Sequence, residues 1–417
     1  MSSVLPAMCP PHDAAAALCE RVAVVGTEVV PLAAAAGRVL AERVAADRDS
    51  PAADVSAMDG YAVRVADWNG LAGGERRAVA FEVETGASPP ALPEGAVARV
   101  FTGGVVPAGA EAVAKREDVV ETPGFAAPRS SVESVTTGQH IRRRGENAAA
   151  GDTLLEPGSV LTAPAIAASA SAGRAELTVH RRVRVAVLVT GNELDGPAVD
   201  EAIGEARVRD SNGPALAALL GGPAWIERVE VAHVGDDPAA TRDAIARLVE
   251  GCDVLVTTGG VSMGDHDRVP GALLELGAEV VYHHLSMRPG KPNLGAYFPG
   301  EIRGAAAVCL PGNPVSVLAG GVVLAGPVLR RAAGWLGEVN RPAVEVVGSA
   351  KPIPLTRFLL ARLDGAGRAV LLDHRGSGDV AAVGRSAGLV ELPAGVDHEA
   401  AEHRGKRWPW WTWSVSP

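Results

Sequence analysis

Three short runs, each following an apolar stretch, hold the residue types from which anion sites are built. They are Thr190-Gly191-Asn192-Glu193, the stretch from Thr257 to Asp267 (TTGGVSMGDHD), and the stretch from Leu310 to Ser316 (LPGNPVS). Glycine lets backbone N–H groups approach an anion, and a helix starting directly behind such a loop adds the positive end of its dipole. A single loop of this kind is more often an ordinary turn. Three on successive strand ends of one sheet point to a phosphate or a similar anion, with Gly259, Gly260, Ser262, Pro311 and Asn313 as candidate contacts. Glu193, Asp210, Asp265 and Asp267 lie on the same edge, and hard carboxylate oxygens beside a phosphate suit Mg2+. Asp210 and Asp265 also stand where helix caps stand. Arg288-Pro289-Gly290-Lys291-Pro292 places two cations on a stiff loop that matches an anionic ligand, although a solvated basic turn has the same composition.

The elements that must position these loops are clearest between residues 182 and 336. Val183–Val189, Asp253–Thr257 and Ala305–Leu310 are continuous apolar runs of the buried parallel-strand kind. Ile226–Val234 and Glu279–His283 add further strands. Helical patterns at Pro214–Leu220, Pro238–Glu250, Val269–Leu276 and Val315–Leu329 alternate with them, which predicts a doubly wound α/β sheet. Ligands of such sheets bind beyond the carboxyl ends of the strands. Residues 12–46 read as helical and residues 146–181 as Ala-rich, broken helix, together one platform domain. Residues 47–145 read as a β-rich domain inserted between them, and residues 337–417 as a second small β domain. The Trp-rich end (Trp408, Trp410, Trp411, Trp413) is expected to pack on that last domain.

Composition narrows the partners. The chain has 417 residues, too many for one ordinary core. Its 39 basic and 49 acidic residues give a net charge of −10, so there is no general attraction for nucleic acid or an anionic membrane, and any anion must be held locally. Cys9, Cys19, Cys252 and Cys309 form neither a CxxC pair nor a zinc spacing, as expected of thiols in a reducing compartment. No secretory pattern and no run of eighteen apolar residues is apparent, so a cytoplasmic protein is expected.

Taken together, the motifs resemble those of the molybdopterin molybdenumtransferase family (the MoeA and gephyrin E-domain family). The matching residues are Ser56–Val63 (SAMDGYAV), Thr102–Pro107, Arg142–Gly145 with Gly151-Asp152, Thr190–Leu194, Asp210-Ser211-Asn212, Thr258–Asp267, Pro289–Pro292, Leu310–Ser316 and Gly376-Ser377-Gly378. They run in family order over nearly the whole chain. The resemblance implies a multidomain α/β and β protein: a helical platform, an inserted β domain, a doubly wound molybdopterin-binding domain and a C-terminal β barrel. It implies insertion of molybdate into adenylylated molybdopterin with Mg2+ and release of AMP, in a homodimer with a shared active site. By motif position Asp59 and Thr102 would reach in from the partner subunit, and Glu193, Asp210 and Asp267 would border the metal. Arg142, Arg288 and Lys291 would hold anionic groups, joined by Arg357 and Ser377 from the last domain. A molybdopterin adenylyltransferase and apo-molybdoenzymes are the implied protein partners. The chain departs from the family pattern at Asn147 and Asn192, where Asp is usual, and at Arg288 and His284, where Lys is common. Arg keeps the charge but changes its geometry, and a histidine need not be charged at neutral pH. These departures keep open a catalytically degraded or scaffolding relative. An adenylyltransferase would share the α/β domain but has no counterpart of Ser56–Val63.

Overall fold

The computed structural model describes residues 5–71, 75–130, 134–195, 204–261, 268–300, 304–339 and 341–416. The chain divides into two compact units, one of residues 1–42, 157–166 and 175–417, the other of residues 43–156 and 167–174.

The larger unit is organised around a six-stranded sheet. Its strands are β1 (Val183–Thr190), β2 (Ile226–Val234), β3 (Val254–Thr258), β4 (Glu279–His283), β5 (Leu294–Tyr297) and β6 (Ala306–Leu310), in the order β2-β1-β3-β6-β5-β4. β2, β1, β3 and β6 run parallel. Its helices are α1 (Asn212–Leu220), α2 (Pro238–Gly251), α3 (Val269–Glu275) and α4 (Pro314–Ala332). Side chains alternate across a strand, so the continuous apolar run of β1 serves both faces. Val185, Val187 and Val189 pack with Leu216, Leu219 and α4, while Ala186 and Leu188 pack with Ile245 and Leu248 of α2. Gly320 and Gly321 let α4 sit close: a Cβ on them would meet Leu310 at 2.5 Å and Leu219 at 2.7 Å. Around that contact the helix widens into a π turn at Gly321–Ala325. No unbroken run of eighteen apolar residues occurs, yet α4 is by length and composition long and apolar enough to cross a membrane. It is 83% buried inside the protein, as the central helix of a core.

Two sequence expectations are corrected. β5 was not anticipated; it pairs antiparallel with both β6 and β4, so the sheet is mixed. Its four residues, opening directly after Lys291-Pro292-Asn293, are too short and too punctuated to stand out as a strand. Residues 12–46 hold only one α-helix, Pro11–Cys19; Thr27–Pro31 is a strand paired with Glu176–His180, followed by a 3-10 turn at Leu32–Ala34. Alanine richness favours helix locally. Here Pro31 and Gly37 interrupt it, and the backbone finds distant partners instead, as in the Leu40 N–H bond to the Ser159 carbonyl at 2.9 Å.

Beyond α4 a nearly closed, barrel-like sheet forms from strands at 343–344, 346–347, 356–363, 369–371, 388–392 and 408–412. Trp408, Trp410 and Trp411 are buried in it, as expected. Trp411 donates its indole N–H to Glu391 at 2.9 Å, and His12 lies 2.6 Å from the same carboxylate and stacks on the indole. The first helix and the last strand are thus fastened by one buried carboxylate.

The smaller unit is a six-stranded sheet in the spatial order 112–115, 60–63, 96–100, 77–82, 125–128, 119–122. Gly60 begins the strand after Asp59 because no side chain fits: a Cβ would lie 2.0 Å from the Ala114 carbonyl.

Candidate functional site

The chain leaves β1 toward β2 on one side and β3 on the other, so a crevice opens between the carboxyl ends of β1 and β3. The three glycine- and proline-bearing loops meet there. Thr190 donates its hydroxyl to the Thr258 carbonyl at 3.3 Å, and the Gly259 N–H donates to the Leu310 carbonyl at 3.1 Å. Gly259 (φ +89°) and Gly260 (φ +63°) take backbone conformations that side chains resist. Asn212, at the start of α1, donates from Nδ2 to the Thr258 hydroxyl at 3.0 Å and to the Gly312 carbonyl at 2.7 Å. Its Oδ1 is buried without a protein partner among the described residues. Pro311 accepts from the Thr258 hydroxyl at 3.4 Å, and Asn313 leads into α4 without spending its side chain on a cap. The Val315 N–H donates to the Ser377 carbonyl at 3.0 Å, which brings the Gly376-Ser377-Gly378 loop of the last sheet to the same helix start.

Of the candidate metal ligands, Asp210 and Glu193 lie among the described residues. Both oxygens of Asp210 are engaged: Oδ1 accepts the N–H groups of Asn212 and Gly213 at 2.9 Å, and Oδ2 lies 2.8 Å from His233. Its side chain is 1% exposed, which is the helix-capping geometry rather than an open ligand position. Glu193 is exposed on the rim. Asp265, Asp267 and Ser262 lie outside the described residues. Among the described residues no group of three or more His, Cys, Asp or Glu side chains is arranged to hold a metal.

Sequence reasoning missed three residues on this edge. Asn212 was visible only as part of a motif. His233 looks like one more polar residue on an edge strand; it lines a groove of about 460 Å3 together with Val189, Asn192, Leu194 and Arg207. Asp236 resembles a helix cap, but the capping carboxylate of α2 belongs to Asp237. Asp236 and Asn192 instead hold each other: the Asn192 N–H donates to the Asp236 carboxylate at 3.2 Å, and the Asp236 N–H donates to the Asn192 side-chain oxygen at 3.1 Å. The Asn at 192 therefore keeps its loop in place, and the Asn192–Asp236 pair carries a single negative charge.

The cations sit at the far end of the rim. His283, last in β4, is in register with Leu294 of β5, which is in register with Cys309 near the end of β6. Lys291 is exposed on the loop entering β5, and Arg288 is exposed where Met287–Arg288 pairs with Thr356–Arg357 of the last sheet. With strands about 4.8 Å apart, the loop joining β4 and β5 stands about 10–14 Å from β3. The rim suits an extended ligand with more than one charged part. Arg357 is placed otherwise than expected: it is buried and donates to the carbonyls of Ala350, Lys351 and Val396. It fastens loops of the last sheet instead of presenting its guanidinium to a ligand.

In the smaller unit, Asp59 and Thr102 are brought together at an exposed turn. Asp59 Oδ1 accepts from the Thr102 N–H at 2.8 Å and the Thr102 hydroxyl at 2.9 Å. These bonds, with Arg116 and Arg99 nearby, hold the Asp59 carboxyl below the usual carboxylate range. Arg142 donates to Glu146 at 2.6 Å and to the Asn147 side-chain oxygen at 2.7 Å. Asn147 therefore still supplies the acceptor that an aspartate would, without its charge.

Residues 9–173 match the MoeA N-terminal region (domain I and II), and residues 186–331 match a probable molybdopterin binding domain. A molybdopterin molybdenumtransferase from Synechococcus elongatus is 36% identical over 386 residues, covering 90% of this chain and 92% of the relative. Molybdopterin molybdenumtransferase 2 from Mycobacterium tuberculosis is 34% identical, covering 91% and 94%. A solved structure of a molybdopterin biosynthesis MoeA protein from Pyrococcus horikosii is similar at a TM-score of 0.77 and 26% identity, over 98% of this chain and 99% of that one. The chain belongs to the molybdopterin molybdenumtransferase family.

Proposed function

We propose that this protein is a molybdenum insertase: it takes adenylylated molybdopterin and molybdate, joins molybdenum to the dithiolene sulfurs and releases AMP. The observation that carries this reading is the junction of three amide-bearing loops at one sheet rim, tied by Gly259–Leu310 and by Asn212, with Arg288 and Lys291 farther along the same edge. Amides and a helix start can hold a phosphate without a net positive protein, and fixed cations can hold a second anionic part. Both requirements follow from an acidic chain with an anionic substrate.

Asp59 and Thr102 form a preorganised acceptor on the smaller unit, and we assign them to the same reaction in a homodimer whose partner subunit supplies them. Mg2+ would be held by Glu193 and Asp267 with substrate and water oxygens completing its shell, since Asp210 is taken up by its cap and His233. The ion would supply charge neutralisation at the phosphoanhydride. The four free thiols support a cytoplasmic site of action. An adenylyltransferase delivering substrate and apo-molybdoenzymes receiving product complete the proposal.

The test is direct. Purified full-length protein given adenylylated molybdopterin, molybdate and Mg2+ should release AMP and yield cofactor that activates an apo-molybdoenzyme. Pterin binding without AMP release would remove the catalytic reading and favour a scaffold.

A further inference from the structure

Two of the three non-glycine residues with positive φ among those described, Met8 (+67°) and His284 (+61°), are joined to each other: the Met8 N–H donates to the His284 carbonyl at 2.8 Å. Such a conformation persists where the surroundings impose it and often lies beside a working site. The contact is part of a longer one. The Leu5 N–H donates to the Val281 carbonyl at 2.8 Å, and Cys9 forms a parallel bridge to Leu285. The Cys9 carbonyl accepts both the Ser286 N–H at 2.9 Å and the Ser286 hydroxyl at 3.2 Å. Because β4 is the last strand of its sheet, residues 5–9 run along its outer edge and on past its end, beside the first residues of the basic loop.

The same loop is held from its other side. The Thr356 N–H donates to the Ser286 carbonyl at 2.9 Å, and Met287 and Arg288 pair with Thr356 and Arg357 of the last sheet. Ser286 thus gives its N–H and hydroxyl to the N-terminal segment and its carbonyl to the last sheet. The segment is in turn fixed to that sheet. Pro10 and Pro11 set the direction of the chain after Cys9, and His12 reaches Glu391 at 2.6 Å and stacks on Trp411. Ala14, Ala15 and Leu18 of the helix that follows are buried in the core. Segment, loop and last sheet therefore close a bracket of three members.

We propose that residues 5–12 are a positioning strap for the basic loop, with Met8 and Cys9 holding its backbone and His12 serving as the far anchor. Arg288 and Lys291 are exposed on this loop, and long exposed side chains meet a ligand in one geometry only if the backbone beneath them is fixed. A loop ordered in advance spares the binding step the cost of ordering it. The strap's bonds go to the backbone of residues 284–286 and to the Ser286 hydroxyl, so its effect on a ligand passes through the loop. It should therefore govern how tightly the anionic substrate is held and leave the bond-breaking step alone. The identity of that substrate rests on the insertase reading, whereas the fixing of the loop does not.

Hydrogen exchange of the full-length protein, read by mass spectrometry, tests the strap without any ligand. Met8→Pro removes the donated N–H and forbids the positive φ, so residues 284–288 should exchange at least about tenfold faster while β3 keeps its protection. Met8→Gly keeps the N–H, favours that φ and should protect the loop as the wild type does. His12→Ala frees the far anchor and should speed exchange of the loop by less than Met8→Pro. In AMP-release kinetics Met8→Pro should raise KM for adenylylated molybdopterin about tenfold and leave kcat within about twofold. Unchanged exchange of residues 284–288 in Met8→Pro would overturn the proposal, and so would faster exchange with an unaltered KM. If β3 also loses protection in Met8→Pro, Ser286→Ala decides, since it deletes only the hydroxyl bond to Cys9. Faster exchange confined to the loop then supports the strap, and wild-type exchange there overturns it. A wild type that releases no AMP defeats the insertase reading and leaves the exchange result to decide on the strap.

Discussion

Gly259 is the residue at which the geometry of the rim can be tested most sharply. Its φ of +89° disfavours any side chain, and a Cβ there would lie 2.6 Å from the Thr190 hydroxyl and 2.7 Å from the Thr190 carbonyl oxygen. The hydroxyl can rotate away. The carbonyl cannot, because Thr190 ends β1 and is in register with Val234 of β2. Gly259→Ala must therefore combine backbone strain of about 1–2 kcal/mol with an overpacking cost of about 1–3 kcal/mol, roughly 2–5 kcal/mol in all. Gly277 is the matched control: its φ is +83°, but an added Cβ would meet nothing within 4 Å, so Gly277→Ala should carry only the strain. Urea unfolding of both variants and AMP-release kinetics give the two readouts. We expect Gly259→Ala to be less stable than Gly277→Ala by about 1–3 kcal/mol. Its kcat/KM should fall at least about tenfold, since a 1.4 kcal/mol loss at the displaced amides suffices. Equal stability of the two variants, with wild-type turnover in Gly259→Ala, would refute the idea that close backbone approach shapes this site.

Other outcomes follow from the same structure. Asp59→Ala should lower AMP release, and mixing Asp59→Ala with Asp267→Ala protein should restore part of the activity in heterodimers; absence of rescue would count against a shared site. Chelation by EDTA should abolish AMP release and added Mg2+ should restore it, while activity indifferent to EDTA would exclude the metal. Asp253 is the clearest pH-linked stabiliser: burial raises its pKa, but bonds from Arg181 at 2.7 and 2.8 Å and from the Arg184 N–H outweigh this, and the net shift is downward. Its contribution is present above the ordinary aspartate value and is lost as pH falls through the lowered folded value. Asp253→Asn should cost about 1–3 kcal/mol at pH 7, discounted because Arg181 is partly solvated, and should flatten the acid limb of the stability profile.

What the residues alone determined is the architecture around β1, β3 and β6 and the placing of glycine- and proline-bearing loops at their ends. Those strands are buried on both faces, so their apolar runs are unbroken and the glycines that end them stand out. Helix signals such as Asp237-Pro238 are equally local, because a cap needs only its own next turn. Tertiary structure decided the rest. Asp210 reads as a metal ligand or as a cap with equal ease, and only the approach of His233 from β2 and the amides of α1 uses up both its oxygens. Arg357 carries a charge suited to an anion, yet three carbonyls distant in the chain or across a loop claim its guanidinium. The proton affinity of His284 is lowered by burial, by His283 and by Lys291, none of which a histidine in a string of letters reveals. Local patterns report what a residue can do with its own backbone neighbours. Which groups remain available for a ligand is settled by partners that the folded chain brings from elsewhere.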